Sequence, residues 1–285
     1  MFIRNPIEWS LDQFRVASAA AGSMGRAVAG EGAEAQSIEV RRIGLEDLHA
    51  ALRAGVEDFK ENRSDVVFLC IIYPILGFAL AKLAVENEML PMLFPLASGF
   101  ALVGPIAALG LYEMSRRREL GIHGGWPQAL TVVRSPAFGK IVVLGLLLTL
   151  LFVLWIGAAA LIYALTLGPE EPVSLGAFLR DTLTTPAGWM MIVIGFAVGF
   201  LFALASLAIG TVSFPMLLDR EASLGTAIAT SARALAANPR TMAVWGLIVA
   251  LSLALATLPA FLGLIVVMPV LGHATWHLYR RLIPR

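Results

Sequence analysis

Charge is scarce in this chain. Asp, Glu, Lys and Arg make up 14% of its 285 residues, where soluble domains carry about 25%. That scarcity excludes a disordered chain, a nucleic-acid-binding domain and most soluble enzymes. Cysteine is scarcer still. The single Cys70 cannot form an intrachain disulfide, a zinc cluster or an iron–sulfur site. A charge imbalance is also missing: the formal net charge is +1, so no global field attracts nucleic acid or acidic substrates. No secretory leader is expected, because Arg4, Glu8, Asp12, Arg15 and Arg26 interrupt any apolar core near the start. A lipoprotein-type anchor lacks its cysteine there. Catalytic signatures are absent too: no Walker loop, no GxSxG, no HExxH. Gly22-Ser-Met-Gly25 has neither the strand before it nor the Gly-Lys-Ser/Thr after it that a phosphate loop needs.

Apolar residues are abundant instead. They form 58% of the chain, in several stretches close to 20 residues long without a charge. A bilayer core of about 30 Å takes about 20 such residues as a helix. The expected fold is all-α, a polytopic six-helix transmembrane bundle. The spans read as roughly 66–85, 89–112, 141–167, 188–217, 241–258 and 260–279. The last two form a hairpin around Leu258-Pro259. Lysine and arginine set the orientation. Nineteen of the 21 fall in the N-terminal segment, the loops after spans two and four, and the tail. Only Arg180 and Lys82 do not. Both termini are therefore expected in the cytoplasm, at a bacterial inner membrane.

The basic segments are themselves helical. Leu45, Leu48, Leu52, Val56 and Phe59 recur at three- and four-residue steps, one face of an amphipathic helix before span one. Trp126, Leu130 and Val133 outline a shorter one before span three. Leu224, Ala227, Ile228, Ser231 and Leu235 outline a third before span five. Ser135-Pro136 and Asn238-Pro239 each offer a capping side chain and a proline for the first helical position. Pro105, Pro215 and Pro269 mark spans two, four and six, where each predicts a kink. Pro105 and Pro269 are each followed by arginine at the same distance, Arg116 and Arg280. This pattern suggests three copies of one unit, an interfacial helix followed by a transmembrane hairpin. Clustering of proline, aromatic and basic residues at membrane interfaces offers a plainer account. Residues 1–39 form a separate piece, an amphipathic arm with Ile7, Leu11 and Phe14 on one face, then a Gly- and Ala-rich linker. The arm lies on the membrane or docks on the protein. Residues 40–285 form the membrane domain.

Polar groups at membrane depth are the test for chemistry, because a charge there is costly. The central portions of spans three to six carry none. Glu113 and Asp219 border the interface, and no chain of carboxylates is available for proton relay. His273 and His277 share one face of span six, four residues apart, and are the candidates for a haem or metal. The plainer alternative puts His277 at the interface beside Trp276 and Tyr279, with His273 bonded to another helix. Gly195, Gly199, Ser206 and Gly210 form a small-residue stripe on span four that allows close helix packing. No catalytic residue, resident metal or cofactor is otherwise expected.

Several runs resemble one family. They are Asn5-Pro6-Ile7-Glu8-Trp9, Val40-Arg41-Arg42-Ile43, Gly55-Val56-Glu57-Asp58-Phe59, and Gly104-Pro105 through Tyr112-Glu113-Met114-Ser115-Arg116-Arg117. Over roughly residues 40–285 the chain resembles the bacterial inner-membrane family called domain of unknown function 2189. The resemblance implies a six-span membrane protein. Some members carry a cytochrome c oxidase label, which two intramembrane histidines do not support as catalysis. Three functions remain open. The first is a non-catalytic scaffold or accessory factor for a membrane complex, respiratory among others. The second is a small permease or flippase for an apolar or lipid-like substrate. The third is a haem- or metal-binding membrane protein. The partners expected are the lipid bilayer and a membrane-protein complex, with no nucleic acid. Oligomeric state is not legible.

Overall fold

The computed structural model describes residues 38–61, 70–86, 89–122, 126–170 and 172–285. The expected N-terminal arm lies outside the described residues. Among these, every regular element is helical. In chain order they are α1 (Leu45–Glu61), α2 (Ile72–Glu86), a 3-10 turn (Leu90–Met92), α3 (Leu93–Ala107) and α4 (Leu109–Glu119). A 3-10 helix (Trp126–Arg134) follows, then α5 (Phe138–Thr166), α6 (Leu175–Thr184), α7 (Pro186–Asp219), α8 (Leu224–Ala237), α9 (Pro239–Thr257) and α10 (Leu264–Leu282).

Among the described residues three helices, α5, α7 and α9, are long and apolar enough to cross a membrane. A fourth is added if Leu90–Gly99 and Ala101–Ala107, bent by 41°, act as one span. The bend has a cause in Pro105. Proline lacks an N–H and crowds the carbonyl four residues back, here Ala101. The helix breaks again at Ala108, so expected span two is divided between α3 and α4. Pro215 and Pro269 also lie inside helices, but α7 and α10 run on as single elements through them. α7 has 34 residues, about 51 Å at 1.5 Å per residue. Its outward side chains, Val193, Phe196 and Phe200 among them, are more than 60% exposed by the protein itself. Apolar surface on that scale is what a bilayer covers.

Helix starts follow local chemistry. Thr185 caps α7 by accepting from the Gly188 amide, with Pro186 next in line. Ser223 caps α8 through the Thr226 amide. Two expected caps differ. α5 begins at Phe138 after a turn in which Ser135 accepts from the Ala137 amide, so Pro136 precedes the helix. At α9 Pro239 does occupy the first turn, but the Asn238 side chain does not cap. Its Oδ1 accepts from the Ile43 amide at 2.7 Å and its Nδ2 donates to the Arg41 carbonyl at 2.9 Å. With Thr241 donating to the Ile43 carbonyl and the Arg41 amide to the Leu282 carbonyl, the strap before α1 is tied to α9 and α10.

The face α1 buries is rotated from the expected one. Leu48, Ala51, Gly55 and Asp58 are buried, whereas Leu45 is 61% exposed. The rotation follows from size. A Cβ on Gly55 would lie 2.6 Å from the Ala274 nitrogen, so α1 and α10 meet nearly backbone to backbone. Small residues at a crossing permit that approach, and larger leucines are moved to its flanks. The 3-10 helix shows the same logic. Ala129 and Val132 pack inward, and Leu130 and Val133 face out. One amphipathic element was not expected from the sequence. α6 follows the loop after α5, with Ser174 as its cap and Leu175, Leu179 and Leu183 exposed along one side.

Candidate functional site

Two features at the arginine-rich end stand out. The first is a buried polar hub centred on Asp58. Gly55 draws α1 onto α10, and one helical turn on, this places the Asp58 carboxylate against α4 and α10. Asp58 is 4% exposed. Its Oδ2 accepts from Ser115 Oγ at 2.5 Å and from His277 Nε2 at 2.9 Å. Its Oδ1 accepts from Arg118, which also reaches Glu61. Ser115 Oγ lies 2.7 Å from His273 Nδ1. Proton counting orders the chain. An ionised Asp58 can only accept, so Ser115 donates to it and His273 donates from Nδ1 to Ser115. Serine, histidine and aspartate are thus together, but serine sits between the other two. A nucleophilic triad needs histidine in the middle to take the serine proton. The geometry is that of a brace.

Around the hub the end of α10 is held by further carboxylates. Trp276 Nε1, Arg280 and Arg285 donate to Glu119. Tyr279 and Arg280 donate to Asp219 at 2.8 and 3.1 Å. Arg116 and Arg117 pair with Glu113. Trp276 and Tyr279 are fully buried in this network and do not face outward.

The electrostatics give a pH dependence. Burial opposes ionisation of Asp58, but hydrogen bonds from His277 and Ser115 outweigh it and hold its carboxyl below the usual carboxylate range. Glu113 behaves likewise, with burial outweighed by Arg116 and Arg117. A depressed folded pKa contributes stability above the unfolded value, about 4, and that contribution is lost as pH falls through the folded value. Thermal stability of the detergent-purified protein should therefore fall away below about pH 4. The acid-side loss should be shallower in Asp58→Asn. An identical acid limb in that variant would remove Asp58 as its source.

The expected site residues are placed as follows. His273 and His277 both turn to the Asp58 hub, and His273 is fully buried. Among the described residues no group of three or more His, Cys, Asp or Glu has metal-holding geometry. On the stripe, a Cβ on Gly199 would meet Trp155 of α5 at 3.1 Å, and one on Gly210 would meet Pro105 of α3 at 2.8 Å. Ser206 donates to the Leu102 carbonyl at 2.9 Å. Gly195 faces open space.

The second feature is an apolar cleft of about 630 Å³, within the usual size of ligand pockets. Its floor is α3 and α10, through Leu102, Pro105, Ala108, Met268, Leu271 and Gly272. Its walls are α7 and α9. α9 packs on α3 and α10 but barely meets α7, with Leu207 reaching toward Gly246. On the α9 wall the lining runs from Pro239 to Leu253, about 21 Å of helix. Among the described residues no charged one lines it. The Gly104-Pro105 break and Gly246 are the sequence features that could have signalled it. The separation of α7 from α9 left no signal.

Residues 93–219, from α3 through α7, match the family described as predicted integral membrane protein, DUF2189. The match agrees with the family read from the motifs, over a shorter stretch than 40–285. No curated protein and no solved structure matches the chain.

Proposed function

We propose, on the premise that a chain matching the predicted integral membrane protein family DUF2189 lies in a lipid bilayer, that it is a small permease or flippase for an apolar or lipid-like substrate. The cleft carries this reading. It carries no charge among its described lining residues, is open between two apolar helices, and runs most of the way along one of them. A molecule could enter it sideways from the hydrocarbon without exposing polar backbone. The scaffold reading draws on the lack of intramembrane charge and on a large cytoplasmic amphipathic surface. The α1 contact stripe is occupied by α10 within the same chain, which weakens the second of these supports.

In this reading the candidate spans are completed to six by α2 and α10, and the arginine-rich end is cytoplasmic, with both termini there. The inner membrane of a bacterium is the proposed location. α1, the 3-10 helix and α8 each precede a hydrophobic hairpin, which supports the three-unit repeat.

Filling the cleft tests the function. A Cβ on Gly246 would make only an ordinary 3.5 Å contact with Leu207, so the rest of a leucine must occupy the cleft. Proteoliposomes of the unaltered protein should move a fluorescent phospholipid between leaflets faster than empty liposomes. Gly246→Leu should slow that movement about tenfold, a barrier change of about 1.4 kcal/mol, with an unchanged melting temperature. Equal rates with and without the unaltered protein would overturn the proposal.

A further inference from the structure

The cleft differs at its two ends. Tyr112, Thr211 and Thr275 line it toward the arginine-rich end, and Leu102, Phe200 and Leu253 toward the other. The first group bears hydroxyls, those of Thr211 and Thr275 donated to carbonyls of their own helices; Ser206, between the two groups, donates to the Leu102 carbonyl, and the second group is hydrocarbon only. Such a gradient matches an amphiphile lying along the groove with its polar end at the arginine-rich mouth.

Arg240 stands at that mouth. It is exposed, in the first turn of α9, next to the cleft-lining Pro239. Ala243 and Leu247 lie three and seven residues after it in α9, and both line the cleft. These spacings put Arg240 on the same face, at the rim. The arginines of the hub are matched to carboxylates: Arg116 and Arg117 to Glu113, Arg118 to Asp58, Arg280 to Asp219. Arg240 has no carboxylate partner among the described residues. An arginine at a helix N-terminus also opposes the positive end of the macrodipole, so it adds nothing to the helix. Both charges, the guanidinium and the helix end, favour an anion in the same place.

We infer that the cleft holds an anionic phospholipid, its phosphate on Arg240 and one acyl chain along the groove past Met242 and Gly246. The inference rests on the lipid-like reading of the cleft and adds the head group and its orientation. The second chain of the lipid stays in the bilayer, because the groove is open between α7 and α9.

The test uses the full chain in detergent with equal amounts of phosphatidylglycerol and phosphatidylcholine, read by native mass spectrometry. The unaltered protein should retain phosphatidylglycerol about fivefold over phosphatidylcholine, the preference one arginine confers near a membrane surface. Arg240→Gln should bring the ratio close to one without lowering the melting temperature, and Arg240→Lys should keep most of it. Gly246→Leu should lose both lipids. Equal retention of the two lipids by the unaltered protein would overturn the anionic inference while leaving the cleft reading intact. Retention unaffected by Gly246→Leu would place the lipid elsewhere and overturn both. A lipid-free dimer that Gly246→Leu dissociates would put a second copy in the cleft, with the same consequence.

Discussion

Asp58→Ala is expected to lower the unfolding free energy by about 3–5 kcal/mol, the range for removing one partner of a buried ion pair. The size follows from what is left behind. Ser115, His277 and Arg118 all direct donors at this one carboxylate, and Ser115 and Asp58 are both nearly inaccessible to solvent. Water cannot replace the acceptor without opening the α1–α10 contact. Asp58→Asn keeps one oxygen but aims an amide N–H₂ at a donor, so its effect should fall between wild type and alanine. The measurement is thermal or denaturant unfolding in detergent, with limited proteolysis of residues 38–61. Alanine should expose α1 to cleavage well below the temperature at which the rest melts. A loss under about 1 kcal/mol, the scale of one ordinary hydrogen bond, would show that the hub does not hold α1 in place.

The hub also shows where sequence reasoning stopped. Hydropathy found the long apolar helices within a few residues, because composition alone decides them. Expected 188–217 became Pro186–Asp219, and expected 241–258 became Pro239–Thr257. It misjudged α1 because a hydrophobic stripe marks where apolar mass lies, and a close crossing is set by its smallest residues. The spacing of Leu48, Ala51, Gly55 and Asp58 was present all along. Reading it required a partner helix with an equally low ridge at Ala274, which only the fold supplies. His273 and His277 were recognised as sharing a face. Their target was hidden because Asp58 and Ser115 are remote in sequence. Asn238 was read as a cap for the same reason: the local rule was sound, but a strap from residues 41–43 took both ends of its side chain. The cleft was least legible, since a gap between α7 and α9 is a property of their arrangement and not of either helix.

Gly55→Leu should be as damaging as the loss of Asp58, by a different route. A Cβ at position 55 would lie 2.6 Å from the Ala274 nitrogen and 2.8 Å from the Val270 oxygen. Both are backbone atoms inside α10, so no rotamer change relieves the overlap. Alanine would gain about 1 kcal/mol of helix propensity over glycine. Gly55→Ala should nevertheless destabilise, by about 1–3 kcal/mol, as overpacking does in a filled site. Leucine must push the helices further apart, and Asp58 sits one turn along the same face. Hydrogen bonds of 2.5 and 2.9 Å do not survive a displacement of that kind. The steric and electrostatic losses are therefore one event, which a double-mutant cycle detects. Gly55→Leu combined with Asp58→Ala should cost clearly less than the two single changes added together. Strict additivity would mean that leucine is accommodated with the hub intact, and that the close approach at Gly55 and the carboxylate at Asp58 are independent features of the contact.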